Sequence, residues 1–245
     1  MSTQKSNSII KVSDGYICAG SSHNDTTGDY NGIVVKYDNS GNQQWFKSLS
    51  GNSSETFNSV ISVTDGFICV GESSSSNLGF TYNDNEDAIV AKYNISGDQQ
   101  WVKNFGGLYA DEFNSIVSVD DGFICVGFSD SSNAGFTYRG NGDAIVVKYN
   151  TLGEKQWVKN DVESFNSIIK VTDGFICAGY TGSRNIGFTL KGQQDAIAIK
   201  YNNSGSIQWV KNFGGNYNAN FNSIISINNG FIGVGSNNPY LIQLH

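Results

Sequence analysis

The sequence is poor in proline, cysteine, histidine and charge. It has one Pro, four Cys and two His among 245 residues, and 15% of the residues are charged, against about 25% in average proteins. Four cysteines are too few for a disulfide scaffold, and two histidines argue against a Ser-His-Asp triad. Cys-x-x-Cys, His-Glu-x-x-His, phosphate-loop and Gly-x-Ser-x-Gly patterns are also missing. The sequence therefore carries no catalytic signature.

Long apolar runs and an excess of positive charge are missing too. No apolar run approaches the roughly 18 residues of a membrane helix, and residues 1–5 lack the apolar segment of a secretory signal. The net charge is −7 and the pI is near 4.7, which argues against binding to a phosphate backbone. We expect neither a nucleic-acid partner nor membrane insertion, while the compartment and the oligomeric state stay open.

What the sequence does contain is a repeat. An Asp-Gly or Asn-Gly pair followed by an aromatic residue and isoleucine recurs five times, with its glycine at positions 15, 66, 122, 174 and 230. A tryptophan recurs at positions 45, 101, 157 and 209. The chain divides into repeats 6–56, 57–112, 113–164, 165–220 and 221–245, of which the last lacks the tryptophan segment.

Each repeat contains four short strand patterns. In the second repeat they are residues 58–63, 67–70, 88–93 and 99–103, rich in Val, Ile, Phe and Tyr. Asp65-Gly66 predicts a two-residue hairpin, because both residue types tolerate positive φ. No segment has helical periodicity with capping signals.

Four short antiparallel strands cannot bury both faces of their own sheet, whereas five such units in a ring can. We therefore predict an all-β, five-bladed β-propeller that forms a single domain over residues 1–245. The fifth blade is expected to lack its outer strand, unless the chain is cut from a longer protein. An open β-solenoid is the alternative fold.

The segment 91–101 resembles the tryptophan-docking motif of PQQ-like (quinoprotein-type) propellers. Ala91, Ser96 in place of Thr, Gly97 and Trp101 match its spacing, whereas residues 93 and 98 depart from it. The repeat more closely resembles the Lys-Tyr-Asp/Asn-x-x-Gly-x-x-x-Trp repeats of bacterial secreted and surface proteins. That resemblance implies an extracellular or surface location and assigns no activity. The divergent motif and the missing catalytic signature argue against a PQQ dehydrogenase.

The loops between the second and third strands are long, and function on rigid scaffolds concentrates in such loops. Three of them share an Asn-x-Gly-Phe-Thr motif. One interpretation is a glycine turn with its Phe tucked under the loop. The other is a repeated ligand pocket in which rings stack on a sugar and Asn binds hydroxyls, formed by Asn77, Phe80, Tyr82, Asn133, Phe136, Tyr138, Asn185 and Phe188.

Two further sets of polar residues recur near the start of each first strand. An Asn-Ser pair predicts either a structural bond to neighbouring backbone or a polar channel rim, at Asn7, Asn58, Asn114, Asn166 and Asn222. Three repeats also place an acid two residues before the first-strand Phe, at Glu55, Asp111 and Glu163. These acids are expected to be solvated loop residues, with a cation site or glycoside hydrolysis as alternatives.

Two smaller features complete the candidates. Asp25, Asp29 and Asn31 stand at alternating positions before a glycine, as in part of a calcium loop, although a closing Glu is missing. The cysteines at 18, 69, 125 and 177 occupy one position in four repeats. Because packed sheets lie about 10 Å apart, we predict buried free thiols, which are compatible with a cytoplasmic location.

The sequence thus favours a non-enzymatic binding module for a glycan or a protein surface, acting through the long-loop face and needing no cofactor, with calcium as the one candidate. The alternatives are a glycoside-active enzyme that uses the three acids, and a purely structural domain.

Overall fold

The computed structural model describes residues 3–83, 85–140, 142–182, 188–228, 230–236 and 240–243. These residues form strands and no helix. The strands are β1 Gln4–Val12, β2 Gly15–His23, β3 Tyr30–Asp38, β4 Gln43–Leu49, β5 Glu55–Val63, β6 Gly66–Ser73, β7 Asp87–Asn94, β8 Gln99–Phe105, β9 Asp111–Val119, β10 Gly122–Ser129, β11 Asp143–Asn150, β12 Lys155–Asn160, β13 Ser164–Val171, β14 Gly174–Thr181, β15 Asp195–Asn202, β16 Ile207–Phe213, β17 Ser223–Ile227, β18 Gly230–Val234 and β19 Tyr240–Gln243.

The strands form one sheet per repeat. Sheet 1 has the order β1-β2-β3-β4, sheet 2 β5-β6-β7-β8, sheet 3 β12-β11-β10-β9, sheet 4 β13-β14-β15-β16, and sheet 5 β17-β18-β19. Neighbouring strands pair antiparallel, for example Phe67 with Tyr93 across β6 and β7. The prediction of an all-β chain of antiparallel four-stranded sheets is therefore confirmed.

The chain separates into two compact units. The first contains residues 1–118 and 131–135, and the second contains residues 119–130 and 136–245. The first holds sheets 1 and 2, and the second holds sheets 4 and 5.

Each hairpin turn depends on a close approach between strands. A Cβ atom on Gly66 would lie 2.0 Å from the carbonyl oxygen of Tyr93, so only glycine fits beside the third strand. Asp65 does not share the positive φ that Asp-Gly turns can adopt, since Asn85 is the single non-glycine residue with positive φ in the described ranges. The Asp65 carboxylate instead accepts a bond from Lys92 Nζ at 2.7 Å.

The core of the first unit lies between the facing sides of sheets 1 and 2. It contains Ile17 and Val34 from sheet 1 and Phe67, Cys69 and Tyr93 from sheet 2. In the second unit, Ile176 and Ala198 of sheet 4 pack with Phe221 and Phe231. Burial on both faces explains why the second and third strands are almost continuously apolar.

The four cysteines lie in second strands, and all are buried free thiols. Burial raises the pKa of each thiol above its ordinary value. The prediction that they act as small core hydrophobes is confirmed.

A tryptophan from the fourth strand fastens one sheet to the next. Trp45 of sheet 1 stacks on Phe67 of sheet 2, with ring centroids 6.1 Å apart. A Cβ on Gly97 would lie 2.9 Å from Trp45 Cη2, so this turn glycine leaves the space that the indole edge occupies. The repeated spacing between glycine and tryptophan thus encodes the packing of consecutive sheets.

The Asn-Ser pairs connect first strands that belong to different sheets. Asn58 is the residue skipped at a β-bulge between Phe57 and Ser59, and its Nδ2 donates to the Phe113 carbonyl at 3.1 Å. Asn7 donates in the same way to Phe57 O at 2.9 Å, and Asn166 to Phe221 O at 2.7 Å. The bulge aims each amide at backbone in the next first strand or, for Asn166, two residues before it, and joins segments that share no ladder.

We expect Trp45→Ala to destabilise the protein by about 3 kcal/mol, because it removes the indole from the space between Phe67 and Gly97. Phe46→Ala is the matched control, since Phe46 is 38% exposed and its loss should cost less than about 1 kcal/mol. Urea unfolding followed by circular dichroism measures both. Equal losses for the two variants would contradict this role of Trp45.

Candidate functional site

A buried aspartate clamps each long loop that carries the Asn-x-Gly-Phe-Thr motif. Asp87, at the start of β7, is 1% exposed and accepts bonds from Asn83 N at 3.3 Å and Asn104 Nδ2 at 2.9 Å. Asn104 also donates to the Thr81 carbonyl at 2.7 Å. The same arrangement recurs around Asp143 and Asp195. The threonine of the motif is therefore fixed through its backbone.

Glu55, one of the three repeated acids, organises the linker between β4 and β5. Its carboxylate accepts the Gly51 amide at 2.9 Å and the hydroxyl groups of Ser73 and Ser75. The next two amides of the linker also bind side chains, with Asn52 N donating to Asn77 Oδ1 at 2.9 Å and Ser53 N to Ser75 Oγ at 2.8 Å. Three consecutive amides thus have side-chain acceptors.

Asp111 plays the same part between β8 and β9. It accepts the Gly107 amide at 2.8 Å, while Asn133 Oδ1 accepts from Leu108 N at 3.1 Å. Ser131 Oγ accepts from Tyr109 N at 3.0 Å.

Asn77 and Asn133, which the sequence offers as ligand-binding residues, therefore bind the linkers of their own chain. Asn185, the third member, lies outside the described residues.

Two of the three repeated acids are buried, contrary to the expectation of solvated loop residues. Glu55 and Asp111 are buried, and Glu163 is half-buried and accepts the Gly182 amide at 2.8 Å. Burial raises the pKa of Glu55 above its ordinary value, and hydrogen bonds from Ser75 and the Gly51 amide partly offset that rise. These carboxylates lie inside the fold because the short linkers place backbone amides there, and those amides need acceptors.

The aromatic residues of the motif turn inward. Phe80 packs against the core of the first unit, and Phe136 and Phe188 are half-buried. The Tyr82 hydroxyl accepts from Asn85 N at 2.9 Å, and the Tyr138 hydroxyl donates to Asp130 Oδ1 at 3.2 Å. These rings organise their loops.

The two remaining members of the asparagine series are Asn114 and Asn222. Asn114 donates to Glu112 Oε1 at 3.2 Å, and Asn222 is exposed.

Of the calcium candidates, Asp25 contacts His23 Nδ1 at 3.0 Å, and Asn31 belongs to β3. Among the described residues, no group of three or more His, Cys, Asp or Glu is placed to hold a metal ion, and calcium stays a prediction.

A cluster of glutamates in the first unit is absent from the sequence pattern because its members do not recur. Burial and the neighbouring carboxylates of Glu112 and Glu86 raise the pKa of Glu72 to about 8, and Lys5 opposes that rise. Serine stands at the corresponding position of sheet 1, Phe128 in sheet 3 and Tyr180 in sheet 4.

Among the residues whose burial is described, the most exposed aromatic side chains lie on linkers between sheets. Tyr109, between β8 and β9, is 56% exposed, and Tyr217, between β16 and β17, is 77% exposed. Both follow a Gly-Gly pair by two residues, so they are equivalent in the repeat. Comparing the linkers could have revealed them in the sequence.

Three concave surfaces in the described ranges lie at the opposite, hairpin-turn end of the sheets. In the first unit, a cavity of about 750 Å³ is lined by Val12, Ile17, Val63 and Phe67, with Ile95 at its edge. In the second unit, corresponding cavities of about 400 and 520 Å³ share Lys170 and Thr172. They are grooves between consecutive sheets that recur with the repeat.

No helix in the described ranges is long and apolar enough to cross a membrane.

No family model matches the chain, and no curated protein is similar to it in sequence. Among solved structures, the chain is similar to a Synechocystis apocarotenoid oxygenase carrying a Glu150Asp substitution, with 8% identity and a TM-score of 0.51. The match covers 90% of this chain and 53% of that structure, so this chain spans about half its length. At this identity the likeness concerns a propeller-like fold alone.

We expect the stability of the protein to fall as the pH rises from 5 to 8.5, in part because of Glu72. An acid with a raised pKa binds its proton more tightly in the folded state, so its contribution is complete below the ordinary value of 4.5 and is lost as the pH rises through about 8. Glu72→Gln should reduce that fall by about 1–2 kcal/mol.

Urea unfolding at both pH values tests this expectation. Glu154→Gln, at an exposed turn position, is the matched control and should leave the fall unchanged. A Glu72→Gln profile that runs parallel to the wild-type profile would show that Glu72 is not the group that titrates.

Proposed function

We propose that the protein is a non-enzymatic, carbohydrate-binding module built as a five-bladed β-propeller, one blade for each of its five sheets. The support for the ring is the repeated sheet unit, with its fixed means of fastening one sheet to the next, and the propeller-like fold of the oxygenase. The ligand is bound at the long-loop end through exposed rings on the linkers between blades.

The observation that carries this proposal is the exposure of Tyr109 and Tyr217. Large aromatic side chains stack on sugar rings through an apolar face and use the hydroxyl as a polar handle. The backbone behind Tyr109 is fixed, because the linker amides bind Asp111, Ser131 and Asn133. A ring on a fixed linker loses little conformational freedom on binding.

The surroundings of the two tyrosines favour a carbohydrate. Tyr217 is flanked by the exposed residues Asn216 and Asn218, and amide side chains donate to and accept from sugar hydroxyls. Two equivalent single rings in one chain are two weak sites of one kind, each suited to a single sugar ring.

A protein surface is the second candidate, and one observation favours it. Leu108, next to Tyr109, is 56% exposed, and an aliphatic side chain adds contact area without a partner for sugar hydroxyls. Leu108→Ser therefore separates the two candidates, because it should weaken binding to a protein and leave binding to a carbohydrate largely unchanged.

Glycoside hydrolysis is the less favoured alternative. It needs one carboxyl group that donates a proton and a second that faces the substrate. The carboxylates of Glu55 and Asp111 are buried and already accept bonds from backbone amides and serine hydroxyls. They stabilise linkers and offer no free face to a sugar.

A glycan array with wild type and Tyr109→Ser/Tyr217→Ser tests the proposal. Serine is the residue that the first repeat has at this position, Ser53, so the change imitates a linker that the fold already tolerates. We expect the affinity for the best glycan to fall at least tenfold, which corresponds to about 1.4 kcal/mol.

Phe46→Val is the matched control, because it removes an exposed ring from β4 and introduces the residue found at the equivalent Val102. It should bind as the wild type does. If the wild type binds no glycan at high concentration, or the tyrosine variant binds equally well, the carbohydrate proposal is wrong. Turnover of an aryl glycoside that Glu163→Gln abolishes would favour the enzyme instead.

A further inference from the structure

Sheet 2 shows what a filled tryptophan site consists of. Phe67 and Tyr93 pair across β6 and β7 and stack at 5.3 Å between centroids. Trp45 of the preceding sheet covers Phe67, and its indole edge lies against Gly97, whose φ is 81°. Tyr93 and Gly97 are buried as a result.

The second unit repeats this arrangement. Trp157 of sheet 3 stacks on Phe175 at 6.4 Å, and a Cβ on Gly205 would lie 3.1 Å from Trp157 Cη2. Trp209 of sheet 4 stacks on Phe231 of sheet 5 at 6.1 Å. In both units the indole therefore stacks on the phenylalanine of the next sheet, and in sheets 2 and 4 its edge also lies against the turn glycine.

Sheet 1 has every part of this site but no indole in it. Tyr16 and Tyr37 pair across β2 and β3, and Gly41 has a φ of 83°. No described atom lies within 4 Å of a Cβ placed on Gly41. Gly41 is exposed and Tyr37 is half-buried, unlike their counterparts in sheet 2. We call Tyr16, Tyr37 and Gly41 the sheet 1 dock.

The same face of sheet 1 is also uncovered at its first strand. Ile9 pairs with Cys18 and so lies on the face of Tyr16. It is 62% exposed, whereas its counterparts Val60 and Ile224 are 3% and 4% exposed. The middle of the face is buried at Cys18 and Val35. The apolar surface left open thus lies at Ile9 in the edge strand β1 and at the hairpin-turn end of β2 and β3, where the dock is.

We infer that the sheet 1 dock takes a further β-strand that carries the pattern Gly-x-x-x-Trp-x-Lys. The four tryptophans of this chain lie in β4, β8, β12 and β16, the fourth strands of sheets 1 to 4, and the described part of sheet 5 has three strands. The occupant is therefore a strand in addition to these nineteen. Its indole would cover Tyr16, and its edge would fill the space at Gly41.

The lysine of the pattern has a partner as well. In the filled site, Lys47 follows the tryptophan by two residues and contacts Asp98 Oδ1 at 3.1 Å, next to Gly97. In the dock, Asn42 stands beside Gly41, and its amide oxygen is an acceptor for the ammonium group. The inference does not depend on carbohydrate binding, so either proposal can fail alone.

The test adds the strand to the full chain. A copy of residues 93–105, the third-to-fourth strand turn with its tryptophan strand, is joined after His245 by a Gly/Ser linker of about 40 residues. Such a linker has a root-mean-square length of about 35 Å and holds the strand at a high effective concentration without fixing its position. The urea midpoint is measured for this chain, for the same chain with alanine in place of the added tryptophan, and for both with Gly41→Asn.

Asparagine tolerates positive φ but fills the space at Gly41, which makes Gly41→Asn a matched block of the dock. We expect the added tryptophan to raise the midpoint relative to added alanine, and Gly41→Asn to abolish that difference. Equal midpoints for tryptophan and alanine would overturn the inference. So would a tryptophan effect that persists with Gly41→Asn, because the indole would then bind elsewhere.

Two further outcomes are tested by measuring the oligomeric state of the chain and by disulfide cross-linking of the added strand. If the unmodified chain sediments as a dimer, and Gly41→Asn makes it monomeric, a second copy fills the dock and a separate strand is not its occupant. For the extended chain, cysteines at Asn42 and at the added lysine should form a disulfide only when the added tryptophan is present. A disulfide that forms equally well with alanine would argue against the dock.

Discussion

Packing between the faces of consecutive sheets is the constraint on which the rest of this structure depends. The second and third strands of each sheet are apolar on both sides, and a sheet of four short strands cannot cover its own two faces. Trp45, Phe67 and Gly97 meet this need for sheets 1 and 2 in one contact. The bulged asparagines add direct bonds between first strands. Each repeat is therefore long enough to form one set of paired strands and to supply the residues that pack against the next sheet.

The same packing explains why the most repeated polar residues are structural. Short linkers bring backbone amides into the interior, where an unpaired N–H costs about 1–3 kcal/mol. Glu55 and Asp111 accept such amides, and Asn77 accepts the neighbouring one. These acids and asparagines recur in three repeats and serve the linkers that those repeats share. Residues suited to recognition are those whose side chains stay exposed on the linkers, as Tyr109 and Tyr217 do.

The sequence was sufficient for the strands, because hairpin signals and apolar segments are local. The second repeat shows this, since its four predicted strands all lie within β5 to β8. The candidate site was less accessible, because its bonds join loops far apart in the chain, as between Asn52 and Asn77. Residue type alone could not distinguish a solvated Glu55 from a buried one. The bond between Asp65 and Lys92 of the third strand was also not evident from the turn signal, because it joins residues far apart in the chain.

Sheet 1 differs from the other sheets at the residue beneath the tryptophan site, and the difference suits a face that stays partly exposed to solvent. Four sheets have phenylalanine at the position beneath the docked indole, Phe67, Phe123, Phe175 and Phe231, and sheet 1 alone has tyrosine, Tyr16. A phenol keeps its hydroxyl solvated at the edge of an apolar site and still offers its face for stacking. Phenylalanine there would add to the exposed apolar surface whenever the dock is empty. Tyr16 therefore suits a site that is open in the isolated chain and retains the geometry to receive an indole.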